Sequence, residues 1–233
     1  MDLRDIEVLY EDNHLIAVNK QGGWLVHGDE TGDPTLQDLV RHYIKVRYNK
    51  PGNVFCGVIH RIDRPVSGIV IFARTSKGLQ RMNQVFQNRE IQKNYLAVTT
   101  SRPEMEEGRV EHYLVKDKER NVTKAYNWLS NKAKKGGKKA ISDYKLLASL
   151  GDQHLVEVKP ITGRPHQIRV QLKELGSTIK GDLKYGYNKT WRRNFIYLHC
   201  NELSFMHPIK KVPVTISAPP PNDQIWNVFK HIY

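Results

Sequence analysis

Apolar positions recur along this chain with two different spacings, and the breaks between them fall at glycine, proline and short polar residues. Residues 6–20, IEVLYEDNHLIAVNK, read as two strands around the polar turn Glu11-Asp12-Asn13. Gly22 and Gly23 then interrupt the chain before a short apolar stretch at 24–26. After Pro34-Thr35, the positions Leu36, Leu39, Val40 and Tyr43 share one face of a helix. Residues 49–53, NKPGN, form a turn-rich loop, and 58–59 and 68–72 look like strand pieces bracketing the polar segment 60–67. Thr75 or Ser76 is a candidate cap for a second helix, in which Leu79, Met82 and Phe86 recur at helical spacing. Residues 91–99 return to strand.

The second half is read in the same way. Residues 108–149 suggest mainly strands and hairpins, with 131–139, NKAKKGGKK, expected as a flexible exposed tip. A strand over 155–161 runs into Thr162-Gly163, and Pro165 suits the first position of a helix. On that helix Ile168, Leu172 and Leu175 should face inward, His166, Arg169 and Lys173 form an adjacent polar face, and Gly176 ends it. Strands at 196–205 and 212–217 precede a proline-rich exit at 218–221. Strands and helices mix without regular βαβ alternation, which points to the α+β class. No composition break separates an appended module. The expectation is therefore one domain over 1–233, with room for two tightly joined lobes.

Composition narrows the partners. Lysine and arginine number 37 against 24 acids, a net charge of +13 with a pI near 9.7. Such an excess attracts polyanions, above all phosphate backbones. The lysines of 131–139 fit either a solvated loop or a phosphate-gripping finger, and the overall charge tips the reading of Lys134, Lys135 and Lys138 towards the finger. The longest apolar runs, such as GIVIFA at 68–73, are too short to span a bilayer. The start MDLRDIEVLY has the pattern of neither a signal peptide nor an amphipathic leader, so a cytoplasmic location is expected. Cys56 and Cys200 lack CxxC spacing and read as two reduced structural thiols. There is no GxxxxGK[ST], GxGxxG after a strand, HExxH or GxSxG, and the ten histidines are scattered. No metal or nucleotide cofactor is expected.

The segment that stands out is HRIDRPVSG, residues 60–68. Its one carboxylate, Asp63, is flanked by Arg61 and Arg64, and nearby cations favour the ionised acid. Taken alone, this is a surface turn with an Arg–Asp pair. Two further segments, QKNYLAV (92–98) and TGRPHQIRVQL (162–172), follow in order, accompanied by NKQGGWLVH (19–27) and IKGDLKYG (179–186). With these the chain resembles the RluA-type family of pseudouridine synthases, from Tyr10 to about Pro219. Ile62, Val66 and Gln21 depart from the usual leucine, threonine and proline, changes that bear on packing or substrate fit.

The resemblance implies a pseudouridine synthase fold, a mixed and mainly antiparallel central sheet flanked by helices and loops. It implies that Asp63 is the catalytic aspartate, that Arg61 contacts the RNA or fills the space vacated by a flipped base, and that Tyr95 stacks on the target uracil. Arg169 would pair with Asp63, and Ile168 would form part of an apolar wall. Arg64 and the lysines named above would add RNA contacts. The reaction so implied breaks the N1–C1′ bond of uridine, turns the held uracil and joins C5 to C1′, and it needs no cofactor. Attack of Asp63 on the sugar and removal of a sugar proton by it both remain open, and Tyr95 is a candidate base for the C5 proton. The target base must leave its stack, which favours loops and bulges of rRNA or tRNA. Two rivals keep their place: a nucleoside or glycoside hydrolase, which would ordinarily use two carboxylates, and a non-catalytic RNA-binding module. Because the sequence begins almost directly in the part that resembles the catalytic domain, no small N-terminal S4-type module is expected, and a monomer is the default expectation.

Overall fold

The computed structural model describes residues 3–28, 32–191 and 193–233, the side chain of Arg4 excepted. The strands are β1 (Val8–Glu11), β2 (Leu15–Lys20), β3 (Gly57–Val58), β4 (Ser67–Ala73), β5 (Ile91–Thr99), β6 (Glu107–Asp117), β7 (Val122–Tyr126), β8 (Lys138–Leu150), β9 (Gln153–Pro160), β10 (Leu198–Met206) and β11 (Pro213–Ser217). The α-helices are α1 (Leu36–Arg47), α2 (Ser76–Gln87), α3 (Asn131–Lys134), α4 (Gln167–Glu174) and α5 (Gln224–Val228). This is the α+β class expected. The chain forms two compact units: Met1–Gln92 with Cys200–Pro220, and Lys93–His199 with Pro221–Tyr233.

In the first unit the strands run in the order β1-β2-β4-β10, with β3 pairing β4 and β11 pairing β10. The β1–β2, β2–β4, β3–β4 and β10–β11 registers are all antiparallel. Asp12 makes the β1–β2 turn by accepting the N–H groups of His14 and Leu15 at 2.8 Å each. All of β4 is buried, and Leu15–Val18 of β2 are fully enclosed, so the apolar runs read as strands are central ones. Thr75 caps α2 by accepting from Gly78 N, and the helix packs on β3 and β4. Its buried stripe is Gly78, Met82 and Val85, a rotation from the expected Leu79–Met82–Phe86 face; Leu79 and Phe86 are half-buried at its edges. Gly78 sets that rotation, because a Cβ there would lie 2.8 Å from the His14 carbonyl oxygen. In α1 the buried residues are Leu36, Leu39, Val40 and Ile44, while Tyr43 is half-buried and donates to Glu11 at 3.2 Å. Cys56 and Cys200 are free and buried, and burial pushes the Cys56 thiol up to about 12.

In the second unit the order is β5-β9-β8-β6-β7, antiparallel throughout the described registers. Helix α4 packs on β6 and β7. Leu114, Ala140, Val170 and Tyr185 form a core cluster beside it, with Val122 and Ala125 packed against them. The lysine-rich stretch contains one helical turn, α3, and the start of β8. Ser130 caps that turn, Ala133 is buried, and α3 rests on β6. A second cluster gathers Tyr187, Phe195 and Tyr197 around Trp191 and reaches the buried Trp226 of α5 through Tyr197. Among the described residues no helix is long and apolar enough to cross a membrane.

Candidate active site

The Asp63 segment lies in the first unit, between β3 and β4. Ile62 and Val66 are buried, Asp63 is half-buried, and Arg61 and Arg64 are exposed. Two apolar anchors thus hold a loop whose polar residues reach outward. Val66 N donates to Asp63 O at 3.0 Å, closing the turn. The next carbonyl, that of Arg64, accepts from Gly23 N at 2.8 Å and from Lys20 Nζ at 3.0 Å. The Arg64 side chain returns to Gly23 O through Nε at 3.1 Å and reaches Asp33 at 2.9 Å. Gly68 shows why the segment ends on glycine: its φ is 113°, and a Cβ would sit 2.3 Å from the Cys200 carbonyl oxygen.

Lys20 is the residue beneath this arrangement that sequence reading passed over. Its side chain is fully buried, and Nζ donates to Gln21 O at 3.0 Å, Trp24 O at 2.9 Å and Arg64 O at 3.0 Å. Three acceptors match the three N–H groups of an ammonium. Burial pushes its pKa down to about 7, and the charge of Asp63 opposes that shift. A cation is therefore built in close to Asp63. His60 plays a structural part. Its Nε2 accepts from Ile71 N at 3.1 Å, and its ring stacks on Phe86 at 4.9 Å. That bond puts the ring proton on Nδ1.

Tyr95, Ile168 and Arg169 lie in the second unit. Tyr95 is half-buried on β5, opposite Val158 of β9, which in turn faces Tyr144 of β8. Residues directly opposite each other share a face, and Ser142, two positions from Tyr144, shares it as well. Ser142 Oγ donates to Gln171 Oε1 of α4 at 2.7 Å. Tyr95 and α4 therefore belong to the same face of this unit's sheet.

Helix α4 departs from the polar-face expectation. It begins at Gln167 and not at Pro165, because His166 adopts a left-handed φ of 56° and offers no side-chain cap. Every residue from Gln167 to Leu172 is buried. The polar ones are satisfied internally: Gln167 Nε2 donates to Ile141 O (3.0 Å) and Ser142 Oγ (2.9 Å), and its Oε1 accepts from Thr162 Oγ1 (2.7 Å) and Arg164 N (3.0 Å). Gln171 Nε2 donates to Ala140 O (3.1 Å) and Val110 O (3.3 Å). The motif's Thr162 and two glutamines thus rivet the helix to β6 and β8. Gly176 ends α4 as expected, with Ser177 N returning to Leu172 O and Gly176 N to Lys173 O.

Arg169 is 5% exposed and meets Asp182, itself 1% exposed, through two parallel bonds, Nε to Oδ2 at 2.7 Å and Nη2 to Oδ1 at 2.8 Å. Its guanidinium carbon lies 5.0 Å from the centre of the Tyr185 ring. Tyr185 is held in turn: its hydroxyl accepts from Thr123 N at 2.8 Å and lies 2.7 Å from His166 Nδ1. Edge and face of the guanidinium are both fixed, the geometry expected where an arginine must orient another group. Asp182 and Tyr185 were missed as site residues, although both lie in IKGDLKYG. The signal that would have found them is physical: an arginine on a helix buried on both flanks needs a buried acid. Lys134, Lys135 and Lys138 are exposed around α3. Among the described residues no three metal-ligating side chains converge.

A family model described as RNA pseudouridylate synthase matches residues 14–174 of this chain. The chain belongs to that family, whose members isomerise uridine to pseudouridine in RNA. It is 32% identical to a ribosomal large subunit pseudouridine synthase C of Rickettsia bellii, over 92% of this chain and 68% of that one. It is 30% identical to the dual-specificity RNA pseudouridine synthase RluA of Haemophilus influenzae, over 91% and 92%. Among solved structures, human RNA pseudouridylate synthase domain containing 4 shares the fold, with a TM-score of 0.77, 22% identity and coverage of 96% and 92%.

Proposed function

We propose that this enzyme flips particular uridines out of rRNA or tRNA and isomerises them with Asp63 as the catalytic carboxylate. The observation that carries the reading is the mounting of Asp63: half-buried, on a loop whose next carbonyl is held by Gly23 and by the buried ammonium of Lys20. A rigid backbone keeps an acid at the orientation a sugar centre requires. In this reading Arg169, aligned by Asp182 and Tyr185, pairs with Asp63, Tyr95 stacks on the uracil, and Ile168 lines the pocket. Arg61 enters the RNA, while Arg64, Lys134, Lys135 and Lys138 contact its backbone. The N1–C1′ bond breaks, a C5–C1′ bond forms, and the C5 hydrogen leaves as a proton while N1 gains one. Atoms and electrons balance without a co-reactant. Tyr95 is the base for the C5 proton. The relatives named for the ribosomal large subunit and for dual specificity support rRNA or tRNA as the substrate class. The reading extends to a monomeric enzyme acting on cytoplasmic RNA.

Asp63→Ala provides the direct check. The variant should bind RNA as the wild type does and form no pseudouridine. Turnover that survives the substitution takes Asp63 out of the mechanism. Chemical mapping of pseudouridines in total RNA, with and without the gene, identifies the target position.

A further inference from the structure

A second surface, remote in sequence from Asp63, carries its own chemistry. From Arg120 to Ser142 the chain has no acidic residue, yet it holds Lys124, Lys132, Lys134, Lys135, Lys138 and Lys139. On the neighbouring strands four exposed cations have acids of their own: Arg109 with Asp143 at 2.7 Å, Lys145 with Glu107 at 3.3 Å, Lys159 with Glu157 at 2.9 Å and Lys139 with Glu111 at 2.7 Å. Among the described residues, no ion pair joins Lys134, Lys135 or Lys138 to a carboxylate. The charge of these three lysines is uncompensated by an acid among the described residues.

Beside these lysines stand two apolar side chains that the core does not use. Trp128 is 65% and Leu129 60% exposed, in the link between β7 and α3. That link is built, not slack. Ser130 N donates to Asn127 Oδ1 at 3.1 Å, the Ser130 hydroxyl caps α3, and Lys132 lies 5.7 Å from the centre of the Tyr126 ring. Ala133 is buried, and Gly137 N closes on Ala133 O at 2.8 Å, a fit so close that a Cβ on Gly137 would strike that oxygen. A ring displayed from a held turn, flanked by unpaired cations, is what a single strand of nucleic acid fits: the bases find a flat apolar partner and the phosphates find lysines.

We propose that the Trp128 turn is a second RNA-contact surface, on which an unpaired nucleotide outside the target uridine stacks while Lys134, Lys135 and Lys138 hold the adjoining phosphates. The proposal rests on the RNA substrate reading above and adds to it a site and a preference for single-stranded flanks. Lysines beside an exposed indole also suit an anionic membrane surface. RNA is favoured because the family acts on it.

The test uses the full chain with a 12-nucleotide oligouridylate, the mapped substrate RNA, and phosphatidylcholine vesicles containing phosphatidylglycerol. Trp128→Ala should weaken oligouridylate binding roughly tenfold, and Trp128→Phe should recover most of it, since stacking tolerates any aromatic ring. The triple exchange Lys134→Gln/Lys135→Gln/Lys138→Gln should flatten the slope of log affinity against log salt by about two, at ~0.7 per phosphate. On substrate RNA the Trp128→Ala loss should appear in KM and not in kcat. Wild-type RNA affinity in Trp128→Ala overturns the proposal, and so does a loss confined to vesicle binding. If the wild type itself neither binds RNA nor forms pseudouridine, the broader reading falls instead. If Asp63→Ala abolishes turnover while Trp128→Ala leaves KM unchanged, only the second surface is lost.

Discussion

The two units each bury a cation, and they satisfy it in opposite ways. Lys20 gives its three N–H groups to the carbonyls of Gln21, Trp24 and Arg64. Arg169 gives two of its own to the carboxylate of Asp182. Carbonyls are dipoles, so the Lys20 site keeps a net positive charge that acts on Asp63 and makes the lysine sensitive to pH. Asp182 is an anion, so the second site is close to neutral and its yield is geometric, a guanidinium fixed in its plane and over Tyr185. One cation supplies charge and the other supplies direction. Each is a buried group that becomes costly once its partner is removed.

The largest effect should follow from breaking the neutral pair. Asp182→Asn leaves Arg169 charged and buried, and urea unfolding should show a loss of about 3 kcal/mol. The double exchange Arg169→Met/Asp182→Leu should regain most of that stability while pseudouridine formation stays low. A double variant as unstable as the single one would contradict the neutral-pair account.

Lys20→Met comes next. It strips one donor from each of three carbonyls, of which Arg64 O keeps Gly23 N at 2.8 Å and Gln21 O keeps Trp24 N at 3.4 Å. A loss of about 2 kcal/mol is expected at neutral pH, since the buried acceptors are left short of donors. Its pH dependence separates charge from geometry. With a folded-state pKa of about 7, below the ordinary 10.5, the unfolded chain binds the proton more strongly between those values. The lysine's contribution should therefore be fullest above pH 10.5 and decline as pH falls towards 7, by at most ~1.4 kcal/mol per unit. A difference between wild type and Lys20→Met that stays flat across this range would mean the three carbonyls hold the ammonium at its solution value.

Asp12 extends the comparison to an anion. Burial alone would raise its pKa, but bonds from Lys210, the His14 and Leu15 N–H groups and Tyr10 hold it well below the ordinary carboxylate range. His207 Nε2 lies 3.0 Å away, and its Nδ1 accepts from Ile209 N and Lys210 N, so that ring is neutral. Because the folded pKa lies below the unfolded one, the stabilisation is present above about pH 4 and is lost as acid is added. Asp12→Asn should cost about 1.5 kcal/mol at pH 7, less than Lys20→Met, and the gap from wild type should begin to narrow below about pH 4 and go on narrowing as acid is added. A gap that persists in acid would point to packing and not to charge. The smallest change belongs to Trp128→Ala, which should leave the unfolding free energy within about 0.5 kcal/mol of wild type because the ring is exposed.

Much of the local structure is legible in the residues. The Asp12 turn, the strand over 68–72, the Thr75 cap and the Gly176 stop all follow from short-range chemistry, and the structure shows each of them, the strand lengthened by one residue at either end. The departures share a cause. The α2 stripe is rotated because Gly78 must approach the His14 carbonyl, a contact made across 64 positions of chain. Spacing alone gives helix α4 a solvated polar face, but its glutamines and arginine are satisfied by β6, β8 and Asp182. The lysine-rich segment, a loop by composition, contains a capped turn because Ala133 has a place to pack against β6.

The chain's own residues determined the α+β class, the positions of its turns and caps, and through three ordered motifs its membership of the pseudouridine synthases. These depend on spacing and on bonds between near neighbours, which a linear reading contains. Only the tertiary structure decided which buried charge meets which partner: Lys20 the Arg64 carbonyl, and Arg169 the carboxylate of Asp182. Burial is a collective property of the packed chain, and a polar side chain's role depends on whether water or protein completes its bonds.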